Sequence, residues 1–206
     1  IETTGGTAFF VASSGEAAPS LVGLIGTSDE LRPEAAATLD RLRARGVKPV
    51  MLTGDSEAVA RAFAAKLGAL DVVAGVPPEG KAAEIRRLRQ GGRIVAMVGD
   101  GVNDAPPLAE ADVGVAMGAG SETALEAASV ALPGDDLAKT VALIDLSGAT
   151  ARKIRQNLFL AFAYNVVMIP AAAAGMLSPV AAGAAMAASS VSVVTNALLL
   201  RRWTAG

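Results

Sequence analysis

Residues 97–106 read M-V-G-D-G-V-N-D-A-P and continue the apolar run 93–98. An apolar run that ends in glycines is typical of a buried β-strand followed by a tight turn. Asp100 and Asp104 lie four residues apart in this turn, and carboxylate oxygens are ligands that Mg²⁺ prefers in proteins. Asn103 adds an amide that can donate to a phosphate oxygen. The segment therefore predicts a magnesium and phosphate site at the end of a strand.

Two more segments place polar groups at the end of a strand or the start of a helix. Residues 51–55 read M-L-T-G-D, in which Thr53 offers a hydroxyl donor and Gly54 lets the backbone turn without a Cβ. Residues 77–81 read P-P-E-G-K and lead into a helix. Lys81 adds a full charge to the positive end of the helix dipole, which favours a phosphoryl group. Each segment is common by itself, so the interpretation depends on their order and spacing.

Strand-like and helix-like patterns alternate along the first two thirds of the chain, after an initial β-hairpin over 7–12 and 21–26. Such alternation predicts right-handed βαβ crossovers and a Rossmann-like parallel sheet, so the expected fold class is α/β. The predicted strands are 47–52, 72–74, 93–98, 113–117 and 130–132, and the predicted helices are 34–45, 57–67, 79–90, 107–111, 121–128 and 136–156.

The last quarter of the chain has a different composition. No charged residue occurs in the 45 residues from 156 to 200. One bilayer span needs about 20 residues, so the segment predicts two transmembrane helices at about 156–177 and 180–200, folded at 175–179. The positive-inside rule places both ends of this hairpin in the cytoplasm, because basic residues flank it at Arg152, Lys153, Arg155, Arg201 and Arg202. A buried hairpin of a water-soluble protein is the less favoured alternative.

The overall composition excludes several classes of function. A net charge of −2 argues against non-specific nucleic-acid binding. The absence of Cys and His excludes disulfides, zinc sites, cysteine nucleophiles and Ser-His-Asp triads within these 206 residues. Because the chain begins with Ile1 rather than Met, we expect it to be a piece of a longer protein.

Polar residues inside the predicted spans are candidates for function, because they are costly in lipid. The thioether of Met186 suits Cu(I), whereas harder ions prefer carboxylates and imidazoles. Neither span contains Asp, Glu, Lys or His, which disfavours transport of Zn²⁺, Ca²⁺, Na⁺ or K⁺. For Ser192, Thr195 and Asn196, close packing between the two helices is preferred over metal binding.

The segments 51–55, 77–81 and 98–106 resemble the phosphorylation domain of P-type ATPases, which belong to the haloacid dehalogenase superfamily. Residues 113–122, V-G-V-A-M-G-A-G-S-E, and residues 29–33 continue the resemblance. It extends from about residue 21 to residue 203. It implies a phosphorylation domain over 21–150, a remnant of the nucleotide-binding domain over 1–20, and two transmembrane helices within 151–203.

The resemblance also implies roles for individual residues, with Mg²⁺ and ATP as cofactors of the complete pump. Asp100 binds Mg²⁺ and Asp104 supports the same site. Thr53, in one turn with Gly54, and Lys81 hold the phosphoryl group. Asn103 helps to orient that group, and Asp55 lies near the nucleotide and the domain hinge.

One departure from the family is important. The phosphorylated aspartate of P-type ATPases lies in a D-K-T-G-T segment, and this string does not occur in the chain. The chain therefore resembles only the C-terminal part of such a pump, and we expect that it cannot form an aspartyl-phosphate by itself. The implied partners are the lipid bilayer, the actuator and nucleotide-binding domains, the other transmembrane helices and a copper chaperone, in a bacterial plasma membrane.

The predicted spans resemble those of copper-type heavy-metal P-type ATPases at the pair Tyr164-Asn165 and at the run 186–190, M-A-A-S-S. The resemblance implies that Asn165 and Met186 contribute to binding of Cu⁺ as the transported ion, with Tyr164, Ser189 and Ser190 close by. The Cys-Pro-Cys motif of that subfamily is absent from the chain. Two other hypotheses are a membrane-anchored haloacid dehalogenase-type phosphatase and a non-catalytic, membrane-tethered interaction module.

Overall fold

The computed structural model describes residues 6–14, 20–28, 30–68, 70–100, 104–118 and 122–204. The chain divides into two compact units, Ile1–Lys139 and Thr140–Gly206. The first unit contains seven β-strands and five helices among its described residues, and two long helices account for most of the second. The alternation of strands and helices predicted from the sequence is confirmed.

The first unit begins with the predicted β-hairpin. Strand β1 (Gly6–Ser13) pairs antiparallel with β2 (Ser20–Ser28), and the register shifts by one residue between Val11 and Ala12. Apolar side chains are exposed on both strands, and Phe10 is 74% exposed. The hairpin thus presents apolar surface that the described part of this unit does not cover.

The remaining strands form parallel pairs, as the predicted crossovers require. Strand β3 (Val50–Leu52) pairs with β4 (Asp71–Val73). Strand β5 (Ala96–Gly99) pairs with β6 (Val113–Met117), which pairs in turn with β7 (Val130–Leu132). Within the described residues, β3 and β5 each have a strand neighbour on one side only.

Five helices connect these strands, and local sequence explains where they begin and end. Ser56 caps α2 by accepting a hydrogen bond from the backbone N–H of Val59 at 3.5 Å. Gly46 and Gly68 follow α1 and α2 with φ of +75° and +70°, the left-handed conformation that favours glycine after a helix. The helices are α1 (Ala35–Arg43), α2 (Glu57–Lys66), α3 (Pro78–Arg89), α4 (Ala105–Glu110) and α5 (Glu122–Ala127).

The best-buried strand of the first unit is β6. Its residues Val115, Ala116 and Met117 are at most 6% exposed. A Cβ at Gly114 would lie 2.5 Å from the carbonyl oxygen of Leu108, so glycine at this position lets β6 pack directly on the backbone of α4. The other buried apolar residues of the first unit lie on the flanking helices or, for Leu67, directly after one: Ala35, Val59, Ala60, Ala64, Leu67, Ile85, Ala105, Pro107, Leu108 and Ala124.

The prediction of a buried strand over 93–98 is wrong in two respects. Regular pairing begins only at Ala96, and the apolar side chains of this run are not buried, since Ile94 is 81% and Val98 is 36% exposed. The reason is that β5 has a strand partner along one edge only in the described part of the chain. An apolar sequence shows that a strand can be buried, but burial also requires neighbours.

In the second unit, helix α6 (Ala138–Ala173) combines the predicted helix 136–156 and the first predicted span in one element of 36 residues. At 1.5 Å per residue it is about 54 Å long, which exceeds the roughly 30 Å hydrocarbon core of a bilayer. The predicted turn follows, with Gly175 at φ +71°. Helix α7 (Pro179–Leu198) is capped by Ser178 and continues into a 3-10 turn, Leu199–Arg202. Both helices are long and apolar enough to cross a membrane.

Candidate phosphate and metal sites

The turn after β3 holds Thr53, Gly54 and Asp55. The Thr53 hydroxyl donates to Asp55 Oδ2 at 2.7 Å and accepts from the Asp55 backbone N–H at 3.1 Å. An added Cβ at Gly54 would meet the Val76 carbonyl oxygen at 3.4 Å, an ordinary van der Waals distance. Glycine leaves space beside this turn, but neither the contact distance nor the backbone conformation requires glycine at position 54.

Backbone hydrogen bonds join this turn to the start of α3. The Val76 N–H donates to the Thr53 carbonyl at 3.1 Å, and the Gly75 N–H donates to the Asp55 carbonyl at 2.8 Å. Gly75 has φ +68°, which suits glycine in a reversal of chain direction. Helix α3 then begins at Pro78. The Thr53 turn and the N-terminus of α3 are thus parts of one connected backbone arrangement.

Lys81, in the first turn of α3, reaches across to the residue that precedes α4. Its Nζ donates to Asp104 Oδ1 at 2.8 Å, and the two side chains are only 18% and 14% exposed. Partial burial strengthens such a charged hydrogen bond because water screens it less. The structure therefore brings together two of the residues that the sequence marked separately.

Gly99, the last residue of β5, makes room for this pair. A Cβ at position 99 would lie 2.8 Å from both Cβ and Oδ2 of Asp104, closer than real carbon atoms approach. Sequence reasoning did not single out Gly99 for this purpose. The only local signal was its place in the G-D-G string, which does not reveal the carboxylate on its far side.

Asp100 follows β5 directly and is exposed. Asn103 lies outside the described residues, as do the two residues between it and Asp100. Among the described residues no group of three or more His, Cys, Asp or Glu side chains forms a ready-made metal cage. Asp100 and Asp104 offer carboxylate donors of the type that suits Mg²⁺, which usually keeps several waters and binds through one or two carboxylates plus phosphate oxygens.

The second unit contains the residues singled out for a transported metal. Half-buried side chains recur every three or four residues along α6 and α7, and we call these two stripes the α6–α7 seam. The Tyr164 hydroxyl approaches the Ser192 hydroxyl across the seam at 3.5 Å. The seam includes Lys153, Asn157, Leu160, Tyr164 and Met168 on α6, and Ala182, Ala185, Ser189, Ser192 and Asn196 on α7.

The five candidate metal residues divide between the seam and the outward faces of the helices. Tyr164 and Ser189 lie on the seam, whereas Asn165, Met186 and Ser190 are exposed, with Met186 at 76%. Asn165 donates to the carbonyl of Ala161 at 2.9 Å, and the Ser190 hydroxyl donates to the carbonyl of Met186 at 3.1 Å. Met186 and Ser190 lie one turn apart on the same outward face of α7. The described part of the second unit does not enclose them.

A protein-family model confirms the expected superfamily. Residues 2–112 match the model described as haloacid dehalogenase-like hydrolase, which covers more than half of the chain. The chain belongs to the haloacid dehalogenase-like hydrolase family. The matched region of this haloacid dehalogenase-like chain contains the Thr53 turn, Lys81, Asp100 and Asp104.

Individual relatives confirm the predicted resemblance to P-type ATPases. A Mycobacterium tuberculosis protein named "Probable copper-exporting P-type ATPase V" is 49% identical over 202 residues, 98% of this chain and 26% of the relative. A Staphylococcus aureus "Copper-exporting P-type ATPase" is 52% identical over 183 residues, 89% of this chain and 23% of the relative. The chain thus spans about a quarter of the length of the curated relatives it matches.

A solved structure extends the similarity to three dimensions. The crystal structure of a zinc-transporting PIB-type ATPase in its E2.Pi state matches 97% of this chain and 32% of the solved chain, with a TM-score of 0.83 and 37% sequence identity. The α/β fold with a parallel sheet and two apolar C-terminal helices is therefore shared with a P-type ATPase.

Proposed function

We propose that this chain supplies the magnesium and phosphate site, and two metal-transporting membrane helices, of an ATP-driven pump that exports monovalent copper. The observation that carries the proposal is the half-buried pair of Lys81 and Asp104, 2.8 Å apart at the end of β5. It joins a cation near a helix N-terminus to an acid in a glycine-rich turn, a combination suited to a phosphoryl group with its magnesium ion.

In this proposal Asp100 and Asp104 hold Mg²⁺, which neutralises charge on the phosphoryl group when it is bound. Lys81 and the N-terminus of α3 bind the phosphoryl oxygens, and the Thr53 hydroxyl donates to the same group. The Thr53 proton now points to Asp55, so the hydroxyl must turn away from that carboxylate to serve the ligand. Asn103 helps to orient the phosphoryl group.

The phosphorylated aspartate has to come from another part of the pump, because no D-K-T-G-T segment occurs in this sequence. The free edges of β3 and β5, as far as the structure describes their neighbours, support insertion of a further strand beside the Thr53 and Asp104 turns. This chain alone is expected to be inactive, with ATP, the actuator domain and the rest of the nucleotide-binding domain acting in the complete pump.

The named relatives transport different metals, so the choice of copper needs its own argument. Residues 156–200 contain no Asp, Glu, Lys or His, which leaves the thioethers of Met168, Met176 and Met186 as the softest donors and amide and hydroxyl groups as the others. Met186 is singled out among the three because it lies in the M-A-A-S-S run that resembles copper-type pumps. Such donors suit Cu(I) better than Zn²⁺. Because Met186 and Asn165 face away from the seam, we propose that other transmembrane helices complete the metal site.

The same proposal includes the surroundings of the pump. Helices α6 and α7 cross the bilayer of a bacterial plasma membrane, with the first unit and both ends of the hairpin in the cytoplasm. The basic residues at Arg152, Arg155, Arg201 and Arg202 support this orientation. A copper chaperone delivers the metal. Neither the phosphatase nor the interaction module gains support from a specific contact in the described residues.

The test uses the complete pump that contains this chain, reconstituted in lipid vesicles. Copper, and not zinc, is expected to stimulate ATP hydrolysis and formation of an acid-stable phosphoenzyme. Lys81→Met should lower the phosphoenzyme level by about 100-fold. Lys48→Met is the matched control, because Lys48 also pairs with an aspartate, Asp71, at 2.6 Å, but both side chains are largely exposed.

Two results would contradict the proposal. Stimulation by zinc alone would show that the proposed transported metal is wrong, but it would not contradict the proposed phosphate site. A Lys81→Met pump that phosphorylates as well as the Lys48→Met control would show that Lys81 does not hold the phosphoryl group.

A further inference from the structure

A polar cluster joins α6 to α7 near the charged end of the hairpin. The side-chain oxygen of Asn196 accepts a hydrogen bond from Lys153 Nζ at 2.8 Å. Its amide nitrogen donates to Asn157 Oδ1 at 2.7 Å and to Gln156 Oε1 at 3.4 Å. Asn196, Lys153 and Asn157 are all half-buried on the seam, and we call these three residues the seam clamp.

The chemistry of the seam clamp allows one arrangement of the Asn196 amide. The Lys153 ammonium can only donate, so the oxygen of Asn196 must face it. The amide nitrogen then faces Asn157, which must in turn present its own oxygen. A single asparagine on α7 thus bridges two residues of α6 that lie one helical turn apart, and both ends of its amide have a defined partner.

Farther along the seam, the side chains of α7 are small. Ala182, Ala185 and Ser189 are the half-buried residues of its first three turns. Small side chains allow helices to approach closely but interlock little, so they resist rotation of one helix against the other only weakly. Directional hydrogen bonds resist rotation strongly, because turning α7 would leave polar groups unpaired in an apolar setting.

The orientation of Met186 follows from that of Asn196 on the same rigid helix. Met186 precedes Asn196 by ten residues, which places it about 80° away around the helix axis. With Asn196 directed at α6, Met186 is directed away from the seam, in agreement with its 76% exposure. Rotation of α7 would move Met186 by the same angle.

We infer that the seam clamp fixes the rotation of α7 against α6 and thereby positions Met186 toward the other helices of the pump. Lys153, Asn157 and Asn196 are positioning residues for the transported metal and do not bind it. This inference rests on the proposed copper transport for its functional readout, but the clamp itself can be tested separately.

The functional experiment measures copper-stimulated ATP hydrolysis of the complete pump over a range of Cu(I) concentrations. Asn196→Leu is expected to raise the half-activating copper concentration by about 10-fold, because loss of residues that orient metal ligands commonly weakens metal binding by that much. The kcat should change by less than about 2-fold. Asn196→Asp should restore activation, because its carboxylate still accepts from Lys153 and the Asn157 amide can turn to donate. Thr195→Val is the matched control at the same depth on an exposed position.

The clamp is tested without copper by a double-mutant cycle on thermal unfolding of the same pump. Asn157→Leu and Asn196→Leu should each lower Tm, and the double variant should lower it little further, because either change already breaks the shared hydrogen bond. Additive shifts would show that no clamp exists. If the cycle shows coupling between Asn157 and Asn196, but Asn196→Leu leaves the half-activating copper concentration unchanged, the positioning role is overturned. If copper does not activate the wild-type pump, the proposed function fails and the cycle still decides whether the clamp is real.

Discussion

Two lysines, one in each unit, make side-chain hydrogen bonds of equal length to different partners. Lys81 meets the carboxylate of Asp104 at 2.8 Å, and Lys153 meets the amide oxygen of Asn196 at 2.8 Å. Asp104 carries a full opposite charge, whereas Asn196 is neutral and is also bonded to Asn157. The distance alone therefore does not show what each contact does.

The two contacts differ in whether their partners can be exchanged. The Lys81–Asp104 pair can exchange partners, whereas the Asn196 bridge is fixed. When a phosphoryl group and a cation bind, Lys81 can turn to the phosphate and Asp104 to the cation, and each charge keeps an opposite neighbour. The Asn196 amide has no such exchange, because moving it breaks hydrogen bonds to two residues of α6 at once. A charge pair suits a site that binds ligands, and an amide bridge suits a mechanical connection between helices.

The largest expected effect comes from replacing the carboxylate partner of Lys81 with an amide, the kind of partner that Lys153 has. Asp104→Asn keeps the size of the side chain and a hydrogen-bond acceptor for Lys81, but it removes the negative charge. We expect phosphoenzyme formation by the complete pump to fall by roughly 10²–10³-fold, the range found when one electrostatic group of a catalytic site is lost. The measurement is labelling with radioactive ATP at saturating Mg²⁺.

Asp71→Asn is the control for this variant, since Asp71 also pairs with a lysine but is 56% exposed. Labelling of Asp104→Asn at the level of Asp71→Asn would mean that the Lys81–Asp104 contact is only structural, and the contrast between the two lysines would disappear.

A smaller effect is expected from crowding the Lys81–Asp104 pair without changing its charges. Gly99→Ala would place a Cβ 2.8 Å from Asp104, so Asp104 or the end of β5 has to shift. Overpacking of this kind commonly costs about 1–3 kcal/mol of stability, and the displaced carboxylate should lower labelling by about 10-fold or more. Unfolding in denaturant and ATP labelling measure the two effects.

Gly183→Ala, on α7, is the matched glycine control, because an added Cβ there meets nothing within 4 Å. Equal losses for the two alanine variants would indicate that glycine at position 99 matters only for backbone flexibility, and that the carboxylate of Asp104 needs no special space.

Local sequence patterns predicted most of the fold, because each pattern reports a property of its own neighbourhood. Ser56 before α2 and Gly68 after it are residue types that mark helix ends, and the structure shows Ser56 as the cap and Gly68 with a positive φ. The Thr53 turn follows β3 as predicted, and Asp100 follows β5 directly. What these patterns could not report is the number of neighbours a strand has, so the exposure of Ile94 and Val98 was missed.

Long-range side-chain contacts were also beyond the sequence. Lys153 and Asn196 are separated by 43 positions, and no local pattern links them, so Asn196 was interpreted as a packing residue. The change from charged to uncharged sequence at residue 156 was treated as a boundary between elements. Helix α6 continues through it, because no glycine or proline occurs from residue 149 to residue 169.

The smallest expected effect concerns a third charged contact, which lies at the surface and serves neither ligand exchange nor a helix connection. Asp112 accepts from the Val95 N–H at 2.9 Å and pairs with Arg89 at 2.7 Å. The Val95 hydrogen bond, with help from Arg89, holds the pKa of Asp112 below its usual value. A lowered pKa in the folded state adds stability at neutral pH that is lost as the pH falls below the usual value of 3.8 toward the lowered one. Asp112→Asn should therefore lower Tm slightly at pH 7, and the difference from wild type should shrink as the pH is taken below that usual value. A difference that does not change with pH would show that the carboxylate charge of Asp112 contributes nothing, and that its contact with Val95 acts as an uncharged hydrogen bond, like the amide bridge of the second unit.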